Sequence, residues 1–168
     1  MQTLPRRRLL SLAVPLLLAG CGWHLRGDQN FAFQTVAVTP ERGAVVASDL
    51  ARYLGSRIRP LVPTAGGQAP DVVVDVLQES REKVVVGVNA TGQVREFQLR
   101  ITVKFRMRTP QGRELIPETA ITQQRDISFN ESAVLAKEAE EALLYRDMQS
   151  DIVQQLLRRL AAVKNIGP

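Results

Sequence analysis

The chain has one cysteine, Cys21, at the end of Leu18-Ala19-Gly20-Cys21, and its one histidine, His24, follows three residues later. That pair raises three chemistries: a metal site, a disulfide, or modification of the sulfur. A tetrahedral zinc shell needs four ligands, and one Cys with one His supplies two. With a single cysteine there is no intrachain partner for a disulfide. Modification remains. Ala19 and Gly20 are small enough for a narrow peptidase groove, and only a cysteine can carry a thioether-linked lipid.

The residues upstream fit that chemistry. Arg6-Arg7-Arg8 forms a basic front, and a 12-residue apolar and small run follows from Leu9 to Gly20, interrupted by Pro15. A membrane-spanning helix needs roughly 20 apolar residues, so the run reads as a secretory signal instead. Leu18-Ala19-Gly20-Cys21 resembles the bacterial lipobox, which implies a diacylglyceryl group on Cys21, cleavage just before it and acylation of the new amino terminus. Several acyl chains hold firmly, since each buried CH₂ contributes about 0.8 kcal/mol. Residues 1–20 are therefore expected to be a removed signal peptide and 21–32 a lipidated tether. Under the sorting rule known for enteric lipoproteins, Asp after the cysteine retains a protein in the inner membrane. Gly22 in that place implies the outer membrane.

Removal of the leader also changes the charge. The whole chain is formally +5, but three of its 22 basic residues lie in the leader, leaving 19 against 17 acidic, or +2. A nucleic-acid partner loses its electrostatic basis. At 45% apolar and 23% charged residues, the remainder reads as one globular domain, residues 33–164.

Within that domain no catalytic signature occurs: no Gly-x-Ser-x-Gly, no His-Glu-x-x-His, no phosphate-binding loop. The lone histidine sits beside the anchor, so the commonest general base is missing from the domain. Glu140-Glu141 is most simply a solvated helix face. The expectation is a non-enzyme with no cofactor and no metal. The feature that does stand out is a ladder of cations, Arg100, Lys104, Arg106 and Arg108, at alternate positions. It reads either as a surface for phosphate, carboxylate or an acidic partner, or as a solvated sheet face paired with Asp75, Glu79 and Asp126 on neighbouring strands.

The elements that must position the ladder follow from periodicity. Phe33–Val38 predicts a strand ended by Pro40. Val46, Leu50, Tyr53 or Leu54, and Ile58 fall at helical spacing and predict a helix over 45–58, closed by Pro60. Residues 60–70 are a Pro/Gly loop. Asp71–Val88 predicts a valine-rich strand, and Asn89-Ala90-Thr91-Gly92 a turn. The clearest alternation follows: Phe97, Leu99, Ile101, Val103, Phe105 and Met107 on one face, the ladder on the other. "TPQGR" at 109–113 predicts a second turn. Glu114–Phe129 predicts a further strand, with Pro117 at an edge or bulge. A last helix over 131–163, capped by Asn130 or Ser132, carries the stripe Leu135, Ala139, Ala142, Tyr145, Met148 or Gln149, Ile152, Leu156, Leu160 and Val163. The order β-α-β-β-β-α predicts an α+β two-layer sandwich: a four-stranded, mainly antiparallel sheet with two helices on its Leu99/Ile101/Val103/Phe105 face.

Three stretches carry a family resemblance: "CGWHLRG" after the lipobox, "GQVREFQLRITVKFRM", and "LAKEAEEALLYRDMQSDIVQQLLRRL". Together they resemble the LptE family of lipopolysaccharide-assembly outer-membrane lipoproteins, over nearly all of the chain after Cys21. The resemblance implies a plug inside the β-barrel LptD, a role in assembling that barrel, and contact with lipopolysaccharide. Trp23 then suits a membrane interface. It also implies ligand-binding cations at the hairpin tip and at the start of the last helix. Lys137 matches the second, and is otherwise a helix ion-pair partner of Glu140 or Glu141. The tip 89–92 has no cation, so Arg95 is either the substitute or an ordinary exposed strand residue. The contrasting reading is a lipid-anchored periplasmic binding protein or envelope enzyme for another ligand, which would need a concave pocket with convergent polar groups.

Overall fold

The computed structural model describes residues 29–63 and 66–167. The expected signal peptide, Cys21, Trp23, His24 and most of the expected tether lie outside them. The order is β1 (Val36–Thr39), α1 (Val45–Leu54), β2 (Val72–Val88), β3 (Val94–Arg108), β4 (Glu114–Ser128) and α2 (Val134–Ala162). One mixed sheet forms in the order β1-β2-β3-β4, with β1 parallel to β2 and the other pairs antiparallel. This is the α+β architecture expected, including the face that the helices cover: Leu99, Ile101, Val103 and Phe105 are fully buried among Leu50, Ile152, Leu156 and Leu160. β4 is the open edge, and Pro117 falls where its register with β3 slips, between Ile116 and Thr119. Proline has no N–H for a ladder, so an edge and a slip are where it does least harm.

Both hairpins turn on glycine. At 89–92 the Asn89 side chain accepts from the Thr91 and Gln93 amides at 3.0 and 2.9 Å, and Gly92 takes φ 80°. Asn130 similarly accepts from the Ser132 amide at 3.0 Å, capping a 3₁₀ turn that leads into α2.

The first helix is shorter than its apolar spacing predicts. Gly55, at φ 54°, ends α1 four residues early, a conformation open to glycine. A 3₁₀ turn follows, and Ile58 then bridges to Val36 instead of completing the helix. β2 holds the second difference. Val72, Val74 and Val76 face the helices, opposite Met107 and Phe105, but Leu77 is an extra residue in a bulge. A side-chain period of two means that one added residue exchanges the faces. Beyond the bulge Glu79, Arg81 and Lys83 point to the helix side.

Glu79 then serves α1 directly. Ala44 offers no capping side chain, and Glu79 Oε2 accepts from the Val46 amide at 3.0 Å. The carboxylate satisfies an open N–H at the positive end of the helix dipole. Glu79→Ala should cost about 1 kcal/mol by thermal or urea unfolding, and Glu79→Gln should recover part of it.

Both helices run from the 89–92 end of the sheet towards the 109–113 end. Val46 meets Glu79 at the start of α1, whereas α2 begins higher, with Lys137 against Ser128, and ends where Arg113 donates to the Ile166 carbonyl at 2.9 Å. α1 therefore covers only the lower half of β2.

Candidate functional site

On the uncovered sheet face, the ladder is largely paired. Asp75, buried on β2, lies opposite Arg106. Its Oδ2 accepts from Arg106 Nε and Arg108 Nε, each at 2.8 Å, and its Oδ1 from Thr39 Oγ1 at 2.7 Å. Burial would raise this carboxyl, but the bonds from Arg108, Arg106 and Thr39 outweigh it and hold the group at about 2. Arg100 donates to Gln98 Oε1 at 2.9 Å and stands 3.7 Å from Glu82. Gln98 in turn donates to Asp126 at 3.1 Å. Of the three carboxylates considered from sequence, Asp75 pairs directly, Asp126 is linked through Gln98, and Glu79 is on the opposite face because of the bulge. Lys104, opposite Gln78 and Ala120, has no ion-pair partner among the described residues.

The two candidate ligand cations sit at the 89–92 end. Lys137 Nζ donates to Glu140 and to Ser128 Oγ, at 2.8 and 2.9 Å. It lines a small cavity of about 60 Å³ with Lys83, Phe97, Ile127 and Phe129. Arg95 is exposed, donates to Gln93 Oε1 at 3.3 Å, and falls where the register of β3 with β2 slips, between Glu96 and Val94. The structure thus puts Arg95 and Lys137 at the same end of the sheet.

A further polar group was not foreseen from sequence. It lies between the upper half of β2 and the first half of α2. Lys83 bonds Glu141 at 2.6 Å and stands 4.4 Å from the centre of the Phe97 ring. Arg81 donates to Gln149 Oε1 at 2.6 Å, and Gln149 bonds Asp49 of α1. Tyr145 donates to the Glu82 carbonyl at 2.9 Å, and burial, then the Glu141 charge, raises its phenol. Asp49, Arg81, Lys83, Glu141, Tyr145 and Gln149 line a cleft of about 820 Å³ whose cations and carboxylates are mostly joined to one another. The only sequence signal was Leu77, whose insertion breaks the valine alternation.

No group of three or more potential metal ligands occurs among the described residues, and none of their helices is long and apolar enough to cross a membrane. Fold and paired charges together define a two-layer α+β domain whose sheet-face cations are largely matched by carboxylates. A family model for LptE, described as lipopolysaccharide-assembly, matches residues 33–160. The LPS-assembly lipoprotein LptE of Photorhabdus laumondii is 31% identical over 165 residues, spanning 94% of this chain and 85% of the relative. That of Pectobacterium atrosepticum is 29% identical over 160 residues, spanning 92% and 84%. The solution structure of lipoprotein B from Nitrosomonas europaea superposes with a TM-score of 0.68 at 34% identity, over 84% of this chain and 91% of that one. The rare lipoprotein B of Shewanella oneidensis, at 20% identity and TM-score 0.60, covers 76% and 92% and shares the fold.

The chain belongs to the LptE family of lipopolysaccharide-assembly lipoproteins. It is an envelope lipoprotein by that membership, and the family's assembly role is non-enzymatic.

Proposed function

We propose that this chain is the lipoprotein subunit of an outer-membrane complex: it stands in the lumen of an LptD-like β-barrel, helps that barrel assemble, and contacts the lipopolysaccharide passed to the outer leaflet. The observation that carries the reading is the family match along residues 33–160. The dimensions support it. The Gln34 and Thr35 amides bond Asp71 at one end of the 17-residue β2, so the tethered end lies opposite the 89–92 turn. At about 3.3 Å per residue the strand is about 55 Å long, and a bilayer with its headgroups is about 40–45 Å thick. With Cys21 acylated in the inner leaflet, the hairpin end reaches the level of the outer one. Arg95 and Lys137 are then the cations that meet anionic ligand there. On the open sheet face, Arg106 and Arg108 share Asp75 and Arg100 stands beside Glu82, which leaves Lys104 as the ladder position with unpaired charge for the barrel wall.

Depleting the chain in its own host tests the reading. Newly made lipopolysaccharide should stop reaching the cell surface, as read by an impermeant label, and the level of the folded barrel should fall. Unchanged surface lipopolysaccharide with a normal barrel would overturn it.

A further inference from the structure

The geometry points to a membrane-contact surface at the tethered end of the domain. Arg57, Arg59, Arg113 and Lys164 rest on the headgroup phosphates of anionic phospholipid, in the leaflet that holds the acyl chains, before the chain enters a barrel. The inference rests on the proposed function for the lipid anchor on Cys21, and goes beyond it in giving the folded domain a lipid contact of its own. It starts from where charge lies along the sheet. The segments at this end, residues 55–60, 71–75, 106–118 and 157–167, hold eight lysines and arginines against four carboxylates, a net +4. The rest of residues 29–167 holds ten against twelve, a net −2. The small net charge of the domain hides a basic end and a weakly acidic remainder.

Pairing sharpens the contrast. Higher on the domain, Lys83, Arg125 and Lys137 have carboxylate partners in Glu141, Asp151 and Glu140. At the tethered end the cations bond backbone carbonyls instead. Arg57 donates to Phe33 at 3.4 Å, Arg59 to Ser56 and Ile58, each at 2.8 Å, Arg113 to Ile166 at 2.9 Å, and Lys164 to Ala161 at 3.4 Å. A carbonyl orients a cation without cancelling its charge. None of the four stands within ion-pair distance of a carboxylate among the described residues. Asp71, at the same end, spends its carboxylate on the Gln34 and Thr35 amides. Both helices also end here, and their C-termini carry roughly half a negative charge each, which takes the end to about +3.

The tether fixes what this end faces. Eight residue steps separate Cys21 from Gln29. An extended chain covers about 3.5 Å per step, so the described fold begins within about 28 Å of the acylated residue. Phe31 stacks on Phe33 at 4.9 Å, and the Arg57 guanidinium stands 5.5 Å from the centre of its ring, so the chain enters the fold through the basic surface itself. The Arg59 amide bonds Val36 of β1, and Arg113 lies in the β3–β4 turn. They are two to three strand spacings apart, about 10–15 Å. Each cation near an anionic membrane surface strengthens attachment about fivefold. The attraction fades beyond about 8–10 Å, so the surface acts because a short tether brings it to the membrane. A zwitterionic leaflet offers it no net charge, and one containing phosphatidylglycerol does.

The test uses the full acylated chain, prepared without its barrel and reconstituted on vesicles of phosphatidylcholine, alone or with phosphatidylglycerol added. Val62, 78% exposed in the loop after Arg59, is changed in every sample (Val62→Cys) and labelled with an environment-sensitive dye. An acylated Cys21 has no free thiol to compete for the label. The expected result is a dye shift to a less polar environment on the anionic vesicles, none on the neutral ones, and reversal at high salt. Arg57→Glu with Arg113→Glu should weaken the shift at least about tenfold. Arg57→Lys with Arg113→Lys keeps the charge and should keep the shift, as should Arg125→Glu in the upper half of the sheet, with circular dichroism on each variant. Equal signals on neutral and anionic vesicles, with Cys21 acylated by mass spectrometry, would overturn this surface and leave the proposed function standing. An anionic shift that the glutamate variants retain would do the same. A chain without an acyl group that holds to neither vesicle would overturn the anchor as well.

Discussion

Asp75→Asn should destabilise the domain by about 2–3 kcal/mol. The side chain is 9% exposed and is shared by two guanidiniums, which are 39% and 20% exposed for Arg106 and Arg108. Removing the carboxylate leaves two cations side by side with their common counter-charge gone. A fully buried pair broken in this way costs about 3–5 kcal/mol. The value here is lower because both guanidiniums keep some water. The pH dependence has a definite sign. The native carboxyl titrates at about 2, below the ordinary 3.8. Its contribution is therefore complete above the unfolded value and is lost as pH falls from about 4 towards 2. Urea midpoints should decline across that interval in the wild type and decline less in Asp75→Asn. Coincident pH profiles of the two proteins would show that Asp75 is not held as described.

The second large effect concerns two leucines of one helix. Leu156→Ala should cost about 2–5 kcal/mol, since the side chain is fully buried between helix and sheet. Leu135→Ala should stay within about 0.5 kcal/mol, since nothing is packed on it in the isolated domain. Chemical denaturation of both variants measures the contrast. Similar losses at both positions would mean that the upper half of α2 is packed like the lower.

That contrast also shows where sequence reading reaches its end. Leu135 and Leu156 belong to one apolar stripe by spacing, and spacing cannot say how far along α2 another element lies beside it. The missing fact is where α1 begins, at the level of Glu79 part-way along β2. The alternation from Phe97 to Met107 was legible because β3 is central, with one buried face and no extra residue of its own over that stretch, and it located the core correctly. β2 was legible only to Val76. Leu77 looks like one more apolar strand residue, yet as a bulge it sends Glu79, Arg81 and Lys83 to the helix side, where they cap α1 and join α2. Gly87 is a similar case: a Cβ there would stand 3.0 Å from Glu96 Cβ, a close approach that appears only once the strands are in register. The ladder residues were readable as a set, but their partners were not. Asp75 stands opposite Arg106 because of pairing between strands 31 residues apart in sequence. The candidate ligand pair, Lys137 and Arg95, came from the family resemblance, and their place at one end of the sheet comes from the fold.

The proposed complex pairs one acylated chain with one β-barrel. The most direct measurement is native mass spectrometry of the complex extracted in mild detergent through a C-terminal tag. The expected result is a single species of one barrel and one chain beginning at Cys21, with added mass equal to a diacylglyceryl and an acyl group on that residue. A chain released alone, acylated but without a barrel, would contradict it.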